Sequence, residues 1–176
     1  MDLFRLIPVS ELPATVNRLK AAKDLTVVVA QGWQQDAPLA LLLESLGRQG
    51  ARVVTEKTLG GKVPEGDILF YGLPRTMAPF DRLPAAMAVA DDRFTVAGES
   101  FSQADDALFL VLSNPDHPER VTGLFLPLSA SAAAAAAPKI THYGRYSALA
   151  FRKGENRQKR VVTPRSSETT KELLLR

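Results

Sequence analysis

The stretch from Asp105 to Ile140 constrains the fold most. Ala107-Leu108-Phe109-Leu110-Val111-Leu112 reads as a strand, followed by the turn-rich Ser113-Asn114-Pro115-Asp116-His117-Pro118-Glu119-Arg120. A second strand runs from Val121 to Leu126, and Ser129 then caps a helix through the alanines 132–137, which Pro138 ends. This β-turn-β-α pattern sets the fold class. Its Asn-Pro-x-x-Pro-x-Arg turn is the most distinctive motif in the chain and reads as structural. Two prolines fix the turn, Asn114 can bond local backbone, and Arg120 is placed to clamp a carboxylate from a neighbouring loop.

The other elements are set around that unit. Leu25-Thr26-Val27-Val28-Val29 is a β-branched run without alternation, which suits a parallel strand buried on both faces. Asp36 is placed to cap a helix over 36–49, with Leu39, Leu42, Leu43 and Leu46 on one face, before a strand beginning Arg52-Val53-Val54-Thr55. Asp67 to Gly72 is another buried strand, Arg93 to Gly98 an antiparallel hairpin partner, and Tyr146 to Phe151 a last strand. Leu3 to Val9 reads as a further strand, and Ser10 as the cap of a helix carrying Leu12, Val16 and Leu19. Residues 75–91 are ambiguous, with a short helix available over Leu83–Val89. The pattern thins beyond Glu155, leaving an edge strand near Val161-Val162 and a weak helix over Glu168–Leu175.

The expected architecture is an α/β three-layer sandwich with a mainly parallel sheet and a small antiparallel β insertion. Residues 1–160 form one domain, and 161–176 a basic tail, disordered or weakly helical. At 176 residues the chain is long enough for one core and too short for two large ones. No apolar run reaches the roughly 20 residues of a membrane span, and no signal peptide is visible. The absence of cysteine excludes disulfides and thiol chemistry. The net charge of +3 is unevenly spread: residues 151–176 carry +5, and the first 150 carry −2.

Catalytic signatures do not appear. Neither a phosphate-cradling glycine motif nor a nucleophile elbow occurs. His117 and His142 lack metal-ligand spacing, so no metal or other cofactor is expected. In an open α/β sheet, ligands bind beyond the carboxyl ends of the strands. A small-ligand or nucleotide site would therefore use the loops Gln31–Gln35, Leu73–Thr76 and Asn114–Arg120, with Gln31, Trp33, Arg75, Thr76, Asn114, Arg120, His142 and Tyr143 as candidates. A third reading is an anionic-surface or nucleic-acid binder using Arg152, Lys153, Arg157, Lys159 and Arg160, with Tyr143 and Tyr146 available for stacking. The cluster is short and lacks a recognised module, which makes nucleic acid the weaker partner.

Several stretches carry a resemblance. They are Asp67 to Pro74, Asp105 to Leu108, Asn114 to Arg120, Lys139-Ile140-Thr141-His142-Tyr143-Gly144-Arg145-Tyr146-Ser147, and Gly154 to Lys159. Over residues 65–160 the chain resembles a C-terminal accessory domain of large bacterial envelope proteins. These are aminopeptidase N-like metallopeptidases, and lipoproteins with haem-uptake-like and PDZ-like modules. Lys159-Arg160 departs from the Lys-Gly that the resemblance would place there. The resemblance implies a non-catalytic α/β domain serving a larger protein, in the bacterial envelope; without it the cytoplasm is the default. No peptidase residue carries over, because the zinc motif is not in this chain.

Overall fold

The computed structural model describes residues 12–163 apart from Ala78 and Ala85. The expected strand at Leu3–Val9, the Ser10 cap and the helix at Glu168–Leu175 lie outside those residues.

In chain order the elements are α1 (Val16–Lys20), β1 (Leu25–Val29), α2 (Ala37–Ser45), β2 (Arg52–Thr55), α3 (Glu56–Leu59) and β3 (Asp67–Tyr71). The small strands β4 (Ala88–Ala90), β5 (Arg93–Val96) and β6 (Glu99–Phe101) come next. They are followed by β7 (Asp106–Ser113), β8 (Val121–Pro127), α4 (Ala130–Ala136), a 3₁₀ segment (Ala137–Tyr143), β9 (Ala148–Arg152) and β10 (Glu155–Arg160). Seven strands form one sheet in the order β10-β9-β7-β8-β3-β1-β2, and β4-β5-β6 form a second. The main sheet is mostly parallel in direction: β1, β2, β3, β8 and β9 run one way, β7 and β10 the other.

Strand alternation divides the core in two. Val27, Val29, Leu69, Tyr71, Phe109, Phe125, Leu149 and Phe151 face the helices. Val28, Ile68, Phe70, Leu108, Leu110, Leu124 and Leu126 face the other way, onto Phe94, Val96 and Phe101 of the small sheet and onto Met77 and Phe80. The three layers are thus helices, main sheet and the antiparallel insertion. The polyalanine helix is explained by proximity. Ala132, Ala133 and Ala136 are buried, and such small side chains let α4 lie close to β7, β8 and α2. Among the described residues no helix is long and apolar enough to cross a membrane.

Three local expectations need correction. The helix carrying Val16 and Leu19 begins at Val16, so Leu12 precedes it rather than sharing its face. Thr15 caps it, and the Val16 and Asn17 amides donate to the Tyr146 and Gly144 carbonyls at 3.0 and 2.8 Å. Leu83–Val89 is not a helix; its end, from Ala88, enters β4. The apolar residues of that loop serve the second core instead, with Leu83, Met87 and Val89 packed against it. The polyalanine α-helix ends at Ala136 with Ala137 as its C-cap, just before Pro138 as expected, and the chain continues as the 3₁₀ segment, where a proline in the first turn loses no hydrogen bond. Finally, the last described strand is Glu155–Arg160 rather than Val161-Val162, paired along β9 despite its charged sequence. An edge strand has one open side, so charge there is tolerated and discourages pairing with other chains.

Candidate functional site

The carboxyl ends of β1, β2 and β3 are the first place to look. The order β3-β1-β2 makes the chain leave β1 toward one neighbour and return on its other side, the topology that opens a ligand crevice in α/β sheets. Here the crevice is filled by the protein itself. Glu56, the residue after β2, is 1% exposed. Its Oε1 accepts from the Arg75 amide (2.6 Å), the Thr76 amide (2.5 Å) and the Thr76 hydroxyl (2.8 Å). Its Oε2 accepts from the Gln31 amide at 2.8 Å. Burial pushes this carboxyl upward, the largest single influence, but the four hydrogen bonds together outweigh it and hold the group below the ordinary glutamate range.

A second closure lies alongside. The Tyr71 hydroxyl, at the end of β3, donates to both Asp36 oxygens at 2.9 and 3.0 Å. The same Asp36 accepts from the Leu39 amide and caps α2. Burial, then the bond and charge of Asp36, raise the phenol far above its usual range. The Trp33 indole sits edge-on to Tyr71, centroids 5.0 Å apart, and covers Gly72 so closely that a Cβ there would collide with it.

Gln31, Trp33, Arg75 and Thr76 are therefore brought together, largely in a different role. Gln31, Arg75 and Thr76 act through backbone amides, with one hydroxyl added, around an internal carboxylate. The loop residues alone do not point to Glu56. Its signal was position: an acidic residue directly after a β-branched strand, at the carboxyl edge. In the sequence Asp36 signals a helix cap and Tyr71 a strand residue, and nothing there signals the bond between them.

The Asn114–Arg120 turn is not part of that edge, which corrects its expected placement. Because β7 and β8 are antiparallel, their connection lies where β8 begins, at the amino ends of β1, β3 and β8. Asn114 Oδ1 accepts from the Asp116 and His117 amides at 2.9 and 3.2 Å, so it does shape the turn. Arg120 meets only the adjacent Glu119, at 3.7 Å, and clamps no carboxylate of another loop among the described residues. Arg18 of α1 instead reaches this turn, donating to the Pro118 carbonyl at 3.1 Å. Two shallow depressions of about 550 and 420 Å³ lie along this amino edge, lined by charges of both signs including Arg18, Lys23, Asp24 and Asp67.

His142 and Tyr143 fall in the 3₁₀ segment, away from the carboxyl-edge loops. His142 is exposed, and the Tyr143 ring packs against Phe151 at 6.0 Å. Across β10 the basic residues disperse. Arg152 is tied to Asp106, with Nε 2.7 Å from Oδ1. Lys153 forms the β9–β10 turn at positive φ. Lys159 lies over the Tyr143 and Tyr146 rings at 5.9 and 5.5 Å. It sits opposite Leu149 of the helix-side core, whereas Arg160 sits opposite Ala148 of the other core. Neighbouring cations thus belong to opposite faces and do not build one phosphate-tracking stripe. Among the described residues no three His, Asp or Glu side chains converge as a metal ion would require.

No protein-family model matches the chain, and no curated protein does.

Proposed function

We propose that the chain is a non-catalytic accessory domain that docks on a larger protein. The observation that carries this reading is the Glu56 cradle. The position at which this fold class seats ligands is taken by the chain's own carboxylate, and Tyr71–Asp36 and Trp33 close it alongside. The same feature weighs against a nucleotide or small-ligand site there.

The stretches behind the resemblance serve as internal ties, as suits a scaffold. Gly144 and Tyr146 receive the first amides of α1, and Gly144 lies directly against Asn17. Lys139 donates to the Gly154 carbonyl at 2.6 Å, and the Asn156 amide bridges the Ala150 and Gln158 carbonyls. A role beside a bacterial envelope peptidase rests on the resemblance alone.

The test has two arms. Thermal-shift screening of the purified chain against nucleotides, sugars, short peptides and divalent metals should be flat, and peptide and ester hydrolysis should stay at background. Stabilisation by a nucleotide or sugar that grows with its concentration, or robust turnover, would overturn the reading. In-cell cross-linking should return one reproducible partner of much greater length; a chain that yields only self-products would also count against it.

A further inference from the structure

We propose that the donors around Glu56 form a carboxylate-binding site in their own right, one that the chain keeps filled with its own side chain. This goes beyond the accessory role and needs no partner. Four donors from two loops converge on one group: the Gln31, Arg75 and Thr76 amides and the Thr76 hydroxyl. None of them comes from the α3 backbone that carries Glu56, so the cradle is not built by the residue that fills it.

The arrangement also defines the ligand class. Three donors serve one oxygen and one serves the other, which suits a planar group with two oxygens and a single negative charge. Phosphate would bring further oxygens and more charge into a buried space with no further donors described for them, and its desolvation would go uncompensated. Tethering explains why the native chain does not take up such an anion. An intramolecular carboxylate acts at a high effective concentration, against which a free one competes poorly.

Substituting Glu56→Ala removes Cγ and the carboxyl group, the same heavy atoms as acetate. That coincidence provides the experiment. Glu56→Ala should melt lower than the native chain. Added acetate should raise its melting temperature with the logarithm of its concentration, by roughly 4 °C at ten times its Kd, while sodium chloride or inorganic phosphate at equal ionic strength should not. The native chain should show no acetate response. Trp33 is the only tryptophan and follows Gln31 by two residues, so its emission should change along the same binding curve. Glu56→Ala combined with Thr76→Val should lose the acetate response, and Glu56→Gln, which keeps the space filled, should never show one.

Equal effects of acetate and chloride on Glu56→Ala, or an equal acetate effect on the native chain, would overturn the proposal. Where Glu56→Ala does not fold alone, refolding it in acetate and in chloride gives the same reading. A cooperative melt recovered only in acetate supports the site, and none in either overturns it. Nucleotide binding by the native chain would defeat the accessory reading without touching these outcomes, so the two failures are distinguishable.

Discussion

Asp106 and Arg152 are register partners across β7 and β9, and they form a two-point ion pair with Nε–Oδ1 2.7 Å and Nη2–Oδ2 3.1 Å. The carboxylate is fully buried, while the arginine side chain keeps 27% of its surface exposed. Arg152 also lies 5.3 Å from the Phe101 ring centroid, so the pair ties the main sheet to the small one.

That asymmetry predicts unequal substitutions. Arg152→Met strands a buried carboxylate whose other described side-chain contact is the Gln103 amide, at 2.8 Å. Asp106→Asn leaves a guanidinium that can turn toward water. Arg152→Met should therefore lower the melting temperature more, and the double variant should cost less than the sum of the single ones, because the stranded charge is gone. Equal and additive losses would show that the pair acts as two independent packing contacts.

Asp106 also marks the limit of what the sequence made legible. The β7-turn-β8-α4 unit, the buried strands β1 and β3, the Asp36-capped helix and the antiparallel insertion follow from apolar runs and caps, which are local signals. The carboxyl-edge loops Gln31–Gln35 and Leu73–Thr76 were legible too, because strand ends fix where loops fall. What occupies that edge was not. Glu56 lies 19 residues from Arg75 and 25 from Gln31, so its position after β2 hints at the edge while its donors come from loops distant in sequence. The placement of Asn114–Arg120 depended on β8 reversing β7, and β10 was hidden because an edge strand needs no apolar alternation.

Glu56 gives stability a defined acid dependence. Its carboxyl is held below its ordinary value, about 4.3 in an unfolded chain. A depressed folded value means that the stabilisation is complete above the unfolded value and is lost as pH falls through the folded one. Glu56→Gln should cost about 1–3 kcal/mol near neutral pH, since an amide NH₂ then meets a donor it cannot accept from. Melting curves of both proteins should converge as pH drops below about 4. A gap that stays constant into acid would mean that the carboxylate charge does not contribute.

Tyr71 should produce the opposite limb. Its phenol is raised far above the usual range by burial and by Asp36. Stability from this group is therefore full below about pH 10, the ordinary tyrosine value, and falls as pH rises beyond it, where only the unfolded chain gives up the proton. In a spectroscopic titration, one of the three tyrosines should ionise only with unfolding. Tyr71→Phe should remove that late step and cost about 1 kcal/mol at neutral pH. A late step that survives the substitution would show that Tyr71 is not its source.

The contact between Trp33 and Gly72 can be separated from backbone strain by a matched pair of variants. Gly32 and Gly72 both adopt left-handed backbone, at φ +90° and +84°. A Cβ on Gly32 meets nothing within 4 Å, whereas one on Gly72 runs into the Trp33 indole. Gly32→Ala should therefore carry only the conformational penalty, about 1–2 kcal/mol, with tryptophan emission unchanged. Gly72→Ala should carry that penalty and also expel the indole from its place against Tyr71, shifting emission toward that of a solvated tryptophan. With the indole displaced, the loop that presents the Gln31 amide to Glu56 should loosen, so amide exchange at Gln31 should quicken in Gly72→Ala and not in Gly32→Ala. Equal losses and equal spectra in the two variants would mean that the indole contact adds nothing to closure of the carboxyl edge.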